Sequence, residues 1–312
     1  MKVVALAGGV GGAKLADGLY EVVSTGDLTV VVNTGDDFDL FGLRICPDAD
    51  TVVYTLAGIA NPATGWGIAG DSWQTLDMLG LYGEDTWFRL GDRDFATHLS
   101  RTARLTSGER LTTVMDSMSQ ALGVHAHVLP MCDEPVPTRV RTPEGELAFQ
   151  DYFVRRQQHD TVTGIRFEGM ESARVTPEVA TAIAQADVIV LCPSNPLVSI
   201  GPILAVPGLR DALLASGAVR VGISPLVGGR ALKGPADRML RDLGHDVSSF
   251  GIAKLYAGLL HGFVLDEADA ADCARIEELG MRARLTGTVM RTGADRARLA
   301  EETLAFARGL RE

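Results

Sequence analysis

The sequence has few cysteines and no motif that would pair them. Its four cysteines are scattered over 312 residues without a C-x-x-C pair, which argues against a disulfide framework or a zinc site. The six histidines show no metal-ligand spacing: His125 and His127 alternate on one predicted strand, but no third ligand is evident. We therefore favour structural roles for the histidines and expect a reduced, cytoplasmic protein.

Long apolar runs and excess positive charge are missing as well. No run approaches the roughly 20 residues that span a bilayer, and the first one, Val3 to Ala7, ends at glycines. We therefore expect no membrane partner and no signal peptide. The formal net charge of -11 argues against a nucleic-acid partner, which requires a basic face. A phosphate ligand would need helix N-termini, a few placed cations or a divalent cation.

Three common active-site fingerprints are not met where they would be expected. The glycine-rich turn "GGVGGAK" between the first strand and helix fits neither the dinucleotide motif G-x-G-x-x-G nor the P-loop motif, and the chain lacks the nucleophile elbow G-x-S-x-G. The missing dinucleotide motif at this turn, together with the lack of a single acidic residue closing the second strand, argues against an NAD-dependent dehydrogenase. The pattern favours charge stabilisation around phosphate over nucleophilic catalysis by a side chain.

Alternating strands and helices are predicted at both ends of the chain. The opening "MKVVALAGGVGGAKLADGLYEVV" predicts a strand, a glycine-rich turn and a helix, and a second strand follows at Leu28 to Val32. The same order returns in "ADVIVLCPSNP", "PGLRDALLAS" and "VRVGISPLVGG". This order predicts an α/β fold, a Rossmann-like parallel sheet core with a helical and β-hairpin insertion. We assign residues 1–57 and 175–312 to the core and residues 58–174 to an insertion packed on it.

The predicted insertion contains two local signals. Thr106 and Glu109 have the spacing of a capping box, which predicts that a helix opens there and continues through Leu111, Val114, Met115 and Met118. Farther on, "TRVRTPEGELAFQDYFV" predicts a hairpin that turns at Pro143, Glu144 and Gly145.

Four polar or glycine-rich loops follow predicted strands of the core: "GGVGGAK", "NTGDD", "PSNP" and "SPLVGG". Open α/β sheets bind ligands outside the carboxyl ends of their strands. We therefore expect the four loops to converge on one crevice.

The acidic segment "NTGDDFDLFGLRICPDADTV" contains five aspartates within fifteen residues: Asp36, Asp37, Asp39, Asp48 and Asp50. Asp48 and Asp50 precede an apolar run that is typical of a helix. The pair could cap that helix. It could equally offer carboxylate oxygens to Mg²⁺ while a substrate diphosphate supplies the remaining ligands.

Two glycine- or proline-rich loops are candidates for binding a nucleotide. The loop "GGVGGAK" lies between a strand and a helix, where backbone amides and the helix N-terminus favour phosphate. Alternatively, it is a tight turn whose glycines serve packing alone. The loop "PSNP" either binds a nucleobase or phosphate or is a crossover stiffened by its prolines. The candidate residues are Gly9, Gly11, Gly12, Lys14, Ser194 and Asn195.

Arg89 follows an aromatic-rich segment and precedes "GDRDFATH". One interpretation is a charged helix N-terminus. The other is an arginine that reaches an anionic or hydrogen-bonding ligand while the aromatic side chains stack on a ring system.

In this order, the motifs resemble the 2-phospho-L-lactate transferases of coenzyme F-420 biosynthesis, the CofD/FbiA family. The matching segments include "VVNTGDD", "CPDADTVVYTLAG", "GDRDFATH", "FQDYFVRR", "PSNPLVSIGPIL" and "VSSFGIAKLY", and they reach to about Tyr256. The glycine-rich turn is more similar to the bacterial branch than to the archaeal one.

The resemblance implies an Mg²⁺-dependent transferase, often a homodimer. It would move a phospholactyl or phosphoenolpyruvyl group from a guanosine diphosphate donor to the ribityl hydroxyl of 7,8-didemethyl-8-hydroxy-5-deazariboflavin and release GMP. Asp50 and Arg89 match family residues that contact the deazaflavin. We expect Asp48 or Asp50 to orient the nucleophile or the metal, with Asp37 assisting. The glycine-rich turn and the Ser194–Asn195 loop would hold the guanosine diphosphate.

A non-catalytic alternative shares part of this pattern. The YvcK-like gluconeogenesis-factor branch, which binds nucleotide-sugars, shares the glycine-rich start and an acidic strand-end loop. It would not be expected to carry "CPDADTV", "GDRDFATH" and "FQDYF" together, so the transferase is the preferred interpretation.

Overall fold

The computed structural model describes residues 1–311. Its strands are β1 Val3–Ala7, β2 Leu28–Val32, β3 Phe38–Leu40, β4 Leu43–Ile45, β5 His127–Pro130, β6 Thr138–Thr142, β7 Gly145–Ala148, β8 Gly164–Phe167, β9 Val188–Leu191, β10 Val219–Ile223, β11 Leu226–Val227, β12 Arg230–Ala231, β13 Gly262–Leu265 and β14 Arg282–Leu285.

The α-helices are α1 Gly9–Val22, α2 Pro47–Leu56, α3 Gln74–Leu81, α4 Asp92–Thr106, α5 Leu111–Ala121, α6 Pro177–Gln185, α7 Ile200–Ala205, α8 Leu209–Ala215, α9 Ala236–Asp242, α10 Ser249–Leu255, α11 Cys273–Glu278 and α12 Gly293–Gly309. Short 3₁₀ helices span Met170–Ser172 and Glu267–Asp272, and a π-helix spans Asp151–Arg155. None of the helices in residues 1–311 is long and apolar enough to cross a membrane.

A seven-stranded parallel sheet forms the centre of the protein, in the order β14-β13-β10-β9-β1-β2-β5. Strand β1 pairs with β2 on one side (Val3 with Leu28) and with β9 on the other (Val3 with Val188). Successive side chains of a strand point to opposite faces. Accordingly, Val3 and Ala5 pack in one apolar cluster, whereas Val4 and Leu6 pack in another. Helices cover both faces, and the predicted Rossmann-like α/β fold is confirmed.

The strand order reverses beside β1, so the loops after β1 and β9 lie side by side at the carboxyl edge of the sheet. The Ser194 hydroxyl joins them, since Gly8 N donates to Ser194 Oγ at 3.2 Å and Ser194 Oγ donates to the Gly8 carbonyl at 2.8 Å. A reversal of this kind is where open α/β sheets form their ligand crevice.

The segment between the two halves of the sheet contributes helices α3 to α5 and a three-stranded sheet in the order β7-β6-β8. The predicted hairpin is confirmed, because β6 and β7 pair antiparallel with Thr142 opposite Gly145. Strand β5 lies within residues 58–174 but pairs in parallel with β2, so this segment also completes the central sheet. The division into core and insertion stays a prediction.

The predicted capping box is wrong. Thr106 is the last residue of α4, which ends where Gly108 adopts a left-handed conformation (φ 91°). Because Thr106 is still helical, its hydroxyl cannot cap a following helix. Helix α5 begins only at Leu111, and its N-terminus is capped from a distance by Asp133, whose Oδ1 accepts from Thr112 N at 2.8 Å. Glu109 binds Arg104 instead, at 3.0 Å.

Candidate active site

A cavity of about 1040 Å³ opens at the carboxyl edge of the central sheet. All four strand-end loops contribute to its wall, through Gly8, Asp36, Pro193 and Ser224 among others. The predicted convergence of the four loops is therefore confirmed. Helices α2 and α4 and the segment around the π-helix close the remaining sides.

Most of the candidate residues line this cavity, and two do not. The lining residues are Gly9, Gly11, Lys14, Asp48, Asp50, Arg89, Ser194 and Asn195. Gly12 packs instead against the neighbouring loop, since a Cβ there would meet Ser194 Oγ at 2.5 Å. Asp37 is 6% exposed but is absent from the lining, although its neighbour Asp36 is part of it.

Asp48 lies in the first turn of α2, where Pro47 is the first helical residue. It does not cap α2. Its Oδ1 accepts from Gly9 N at 2.6 Å, and its Oδ2 accepts from Asn33 Nδ2 at 2.9 Å. Asn33 also donates to Asp36 Oδ1, at 3.2 Å. One buried amide thus holds two carboxylates beside each other at the end of β2.

The shared environment of Asp36 and Asp48 disfavours two negative charges. Burial raises the pKa of Asp48 to about 6 despite the hydrogen bonds from Asn33 and Gly9. Burial and then the charge of Asp48 raise the pKa of Asp36 well above its ordinary value. Both side chains are more than nine-tenths buried. The pair therefore needs a shared proton or a cation.

Asp50 has a different environment. Its Oδ2 accepts from Arg101 Nη1 at 3.1 Å, its Oδ1 accepts from Arg101 Nη2, and His98 Nδ1 lies 3.7 Å from Oδ2. Arg101 is 2% exposed. The Asp50 carboxylate thus lines the cavity with its charge already balanced from behind by a buried guanidinium.

His98 is held as a neutral imidazole in this arrangement. Burial lowers its pKa to about 4. Arg101 Nη1 lies 3.3 Å from His98 Nδ1, and because a guanidinium can only donate, Nδ1 must accept and Nε2 must carry the proton. Nε2 has no hydrogen-bond partner within residues 1–311.

Asp37 sits behind the cavity wall, beside Cys46 and within the field of Arg101. Burial raises its pKa to about 7, although the Cys46 thiol and Arg101 favour the charged form. In the described part of the chain, its Oδ1 has no hydrogen-bond partner. The assisting role predicted for Asp37 stays a prediction, without a direct contact to the cavity.

Glycines in the turn after β1 let it bind Asp48 and pack closely against the loop after β9. Gly9 begins α1 with φ +63°, and its amide is used by Asp48. At Gly11, a Cβ would collide with the Pro193 carbonyl oxygen, so the close approach of the two loops requires glycine. Lys14 Nζ donates to the Met290 carbonyl at 2.8 Å. Burial, followed by repulsion from Arg296 and Lys233, lowers the pKa of Lys14.

Ser194 and Asn195 differ in what they can offer a ligand. The Ser194 hydroxyl is used on both sides by Gly8. Asn195 Oδ1 accepts from Leu197 N at 2.9 Å, while its Nδ2 has only the Met239 sulfur, at 3.7 Å. Asn195 therefore retains donor capacity toward the cavity.

Five aromatic side chains contribute to the wall of the cavity: Trp66, Trp87, Phe88, Phe149 and Phe153. The rings of Phe149 and Phe153 stack with centroids 5.5 Å apart. The exposed Arg89 also lines the cavity, and its guanidinium lies 4.4 Å from the Trp73 ring centroid. Such a wall suits a flat heteroaromatic group.

Sequence reasoning missed several residues of this site. Asp94, His98 and Arg101 lie on one face of α4, at spacings of four and three residues, and all three are buried. A polar stripe at helical spacing is the signal that could have found them. Asp36 and Asn33 belong to the acidic segment that begins at Asn33, but no local sequence pattern predicts their contacts with Asp48. Within residues 1–311, no group of three or more His, Cys, Asp or Glu is arranged to hold a metal ion.

Comparisons with known proteins agree with these features. Residues 3–286 match the sequence model of the family described as 2-phospho-L-lactate transferase CofD. A phosphoenolpyruvate transferase of Streptomyces coelicolor is 41% identical over 318 residues, covering 100% of both chains. A 2-phospho-L-lactate transferase of Methanosarcina barkeri is 37% identical over 298 residues and 96% of each chain.

Among solved structures, a UPF0052 family protein from Bacillus halodurans is similar in fold, with a TM-score of 0.65 over 97% of this chain and 98% of that chain. At 16% identity, this likeness concerns the fold alone. The family match includes every lining residue of the cavity up to Ala236, and the Streptomyces coelicolor relative covers the whole chain, including the lining segment Thr288–Arg291. The chain therefore belongs to the CofD family of 2-phospho-L-lactate transferases.

Proposed function

We propose that this protein transfers a phospholactyl or phosphoenolpyruvyl group from a guanosine diphosphate donor to the terminal ribityl hydroxyl of 7,8-didemethyl-8-hydroxy-5-deazariboflavin, a step of coenzyme F-420 biosynthesis. The hydroxyl oxygen forms a bond to the distal phosphorus. The bond from that phosphorus to the bridging oxygen breaks, the bridging oxygen leaves with GMP, and the hydroxyl proton goes to solvent. Relatives named for each donor match the chain over 96% or more of its length, so both donors enter the test.

The observation that carries the proposal is the composition of the cavity at the carboxyl edge of the sheet. A helix N-terminus with Lys14, the four buried carboxyl groups of Asp36, Asp48, Asp50 and Asp94, five aromatic side chains and Arg89 all line it. Phosphoryl transfer requires positioning and charge stabilisation more than covalent chemistry by the protein. The cavity offers cations and amides for phosphates, carboxylates for a hydroxyl or a cation, and rings for a deazaflavin.

The nucleotide would lie against the loops after β1 and β9. The N-terminus of the fourteen-residue helix α1 faces the cavity and favours negative charge. A diphosphate beside Lys14 would also favour the charged form of that amine and so oppose the effect of burial, which lowers its pKa. For direct contact we favour Asn195, which has a free donor, over Ser194, whose hydroxyl ties the two loops together.

The carboxyl groups of Asp36, Asp48 and Asp50 have different roles in this proposal. We assign Asp48, with Asp36, to a divalent cation such as Mg²⁺, because this buried pair needs a proton or a cation and Asp50 is already neutralised by Arg101. This choice replaces Asp50 by Asp36 in the ligand pair predicted from the sequence. Bound there, the cation would offset the charge of the diphosphate. Asp50 then accepts the hydrogen bond of the ribityl hydroxyl and orients its oxygen toward phosphorus.

The experiment is a measurement of GMP release by the purified protein. The precursor, Mg²⁺ and either the lactyl or the enolpyruvyl guanosine diphosphate donor are combined, and each component is then omitted in turn. GMP that forms only in the complete mixture supports the transferase and identifies its donor. A folded protein that releases no GMP from either donor overturns the proposal.

A further inference from the structure

Asp94 is a buried carboxyl group that the proposed chemistry does not use. It lies in the first turn of α4, is 7% exposed, and lines the cavity, as do Trp66 and Gly67. No local structural need accounts for burying a carboxyl group there, because the N-terminus of α4 is capped by Asp71, which accepts from the backbone amides of Arg93 and Asp94.

The two oxygens of Asp94 have unequal surroundings. Oδ1 accepts from the Tyr54 hydroxyl at 2.8 Å, and that hydroxyl lies 2.8 Å from Thr97 Oγ1 as well. His98 Nε2 is 4.0 Å from Oδ1, beyond hydrogen-bond distance. Oδ2 makes no hydrogen bond within residues 1–311, and its neighbour is Gly67, where a Cβ would lie 3.9 Å away.

We propose that Asp94 is a substrate-binding residue that selects the deazaflavin ring, its Oδ2 accepting a hydrogen bond from an acidic N–H or O–H group on the ring edge. This inference rests on the proposed function. Tyr54, supported by Thr97, fixes the carboxyl group and leaves Oδ2 as the free acceptor. The precursor offers two such donors, the imide N–H of its pyrimidine ring and its 8-hydroxyl group.

The energetics favour a partner of this kind. Burial and the charge of Asp50 raise the pKa of Asp94 to about 7, against the opposing effect of Tyr54. An ionised carboxylate in such a site gains from each added donor, because a buried acceptor without a partner costs free energy. A ring without the donor would leave Oδ2 unpaired. It would therefore bind more weakly than a ring that keeps the donor but has a poorer shape fit.

The test compares binding of the precursor with binding of two methylated analogues, using the intact wild-type protein and the fluorescence of the deazaflavin. One analogue carries a methyl group on the imide nitrogen and the other on the 8-hydroxyl oxygen. We expect one of the two, the one that blocks the donor to Asp94, to bind about 10- to 100-fold more weakly. Equal binding of both analogues and the precursor overturns the assignment.

The Asp94→Asn variant provides a second arm, since it conserves shape but places an amide donor at one oxygen position. It should raise the KM for the precursor about 10- to 100-fold, leave the KM for the guanosine donor within about twofold, and no longer discriminate the methylated analogue. Asp77→Asn, an exposed change on α3 outside the cavity, is the matched control. If Asp94→Asn discriminates the analogues as the wild type does, the assignment is wrong.

The two hypotheses fail in distinguishable ways. A wild-type protein that neither binds the precursor nor releases GMP overturns the transferase, and the role of Asp94 with it. A wild-type protein that turns over the precursor but tolerates both methyl groups overturns only the role of Asp94.

Discussion

Both carboxylate oxygens of Asp50 accept hydrogen bonds from the guanidinium group of Arg101, and both side chains are more than nine-tenths buried. The pair joins α2 to α4 across 51 positions of sequence. The pair formed by Asp36 and Asp48 has no salt-bridge partner within residues 1–311. Asp48 and Asp50 are two residues apart in sequence, but their carboxyl groups therefore have different charge environments.

Loss of Arg101 should be costly. In Arg101→Met, the Asp50 carboxylate would remain buried without its partner, and breaking a buried pair in this way costs about 3–5 kcal/mol. We expect a clear fall in Tm by differential scanning calorimetry and a loss of turnover. Arg210→Ala, which removes an exposed arginine from α8, should change the stability by less than about 0.5 kcal/mol. Equal Tm values for the two variants would show that the pair does not stabilise the protein.

The carboxylate pair beside Asn33 should govern cation binding. Because Asp36→Asn and Asp48→Asn each remove a proposed ligand, we expect each to weaken Mn²⁺ binding by at least about 100-fold, more than the loss of an outer-shell partner. Electron paramagnetic resonance of free Mn²⁺ measures this without turnover. Asp39→Asn changes a largely exposed aspartate of the same segment and serves as the control. Unchanged Mn²⁺ affinity in both variants would refute the assignment.

The free energy of unfolding should depend on pH because of Asp94. Its pKa is about 7 in the folded state against an ordinary 3.8, so between about pH 4 and 7 the folded state keeps a proton that the unfolded state has lost. The group therefore lowers the free energy of unfolding as the pH rises through this window. Relative to wild type, Asp94→Asn should gain stability from pH 5 to pH 7.5 in urea unfolding. Asp77→Asn should show no such trend, and the absence of a trend in Asp94→Asn would contradict the raised pKa.

The contact between the loops after β1 and β9 should tolerate no side chain at Gly11. In Gly11→Ala, the new methyl group would collide with the Pro193 carbonyl oxygen, and overpacking of this kind costs about 1–3 kcal/mol. We also expect a higher KM for the guanosine donor, since both loops line its side of the cavity. Gly217→Ala, which meets nothing within 4 Å, should be neutral or slightly stabilising. Similar stability and KM values in both variants would argue against the close approach.

The parts of the site that could be predicted are those set by local sequence. Strand-end loops follow from apolar runs that stop at glycine, asparagine or proline, and parallel strands bring their carboxyl ends to one edge. The convergence of the loops at Gly8, Asp36, Pro193 and Ser224 therefore followed from pattern alone. The hairpin of β6 and β7 did as well.

The parts that could not be predicted depend on contacts distant in sequence. The predicted capping box was wrong because α4 extends to Thr106 and ends just before the left-handed Gly108. Thr106 therefore belongs to the end of one helix and not to the start of the next. Strand β5 is four residues long and pairs with β2 almost a hundred residues earlier. The balance between Asp36, Asp48 and Asp50 depends on Asn33, which follows β2, and on Arg101 of α4, which contacts Asp50 from 51 positions away.

The proposed transfer to the terminal ribityl hydroxyl is tested most directly with precursor labelled with ¹⁸O at that hydroxyl. If that oxygen attacks the distal phosphorus, the deazaflavin product should retain the label in its phosphodiester and increase in mass by the phospholactyl or phosphoenolpyruvyl group. Unlabelled GMP should appear in a one-to-one ratio. Loss of the label, a nucleotide attached to the deazaflavin, or GMP formed without a deazaflavin product would contradict the account.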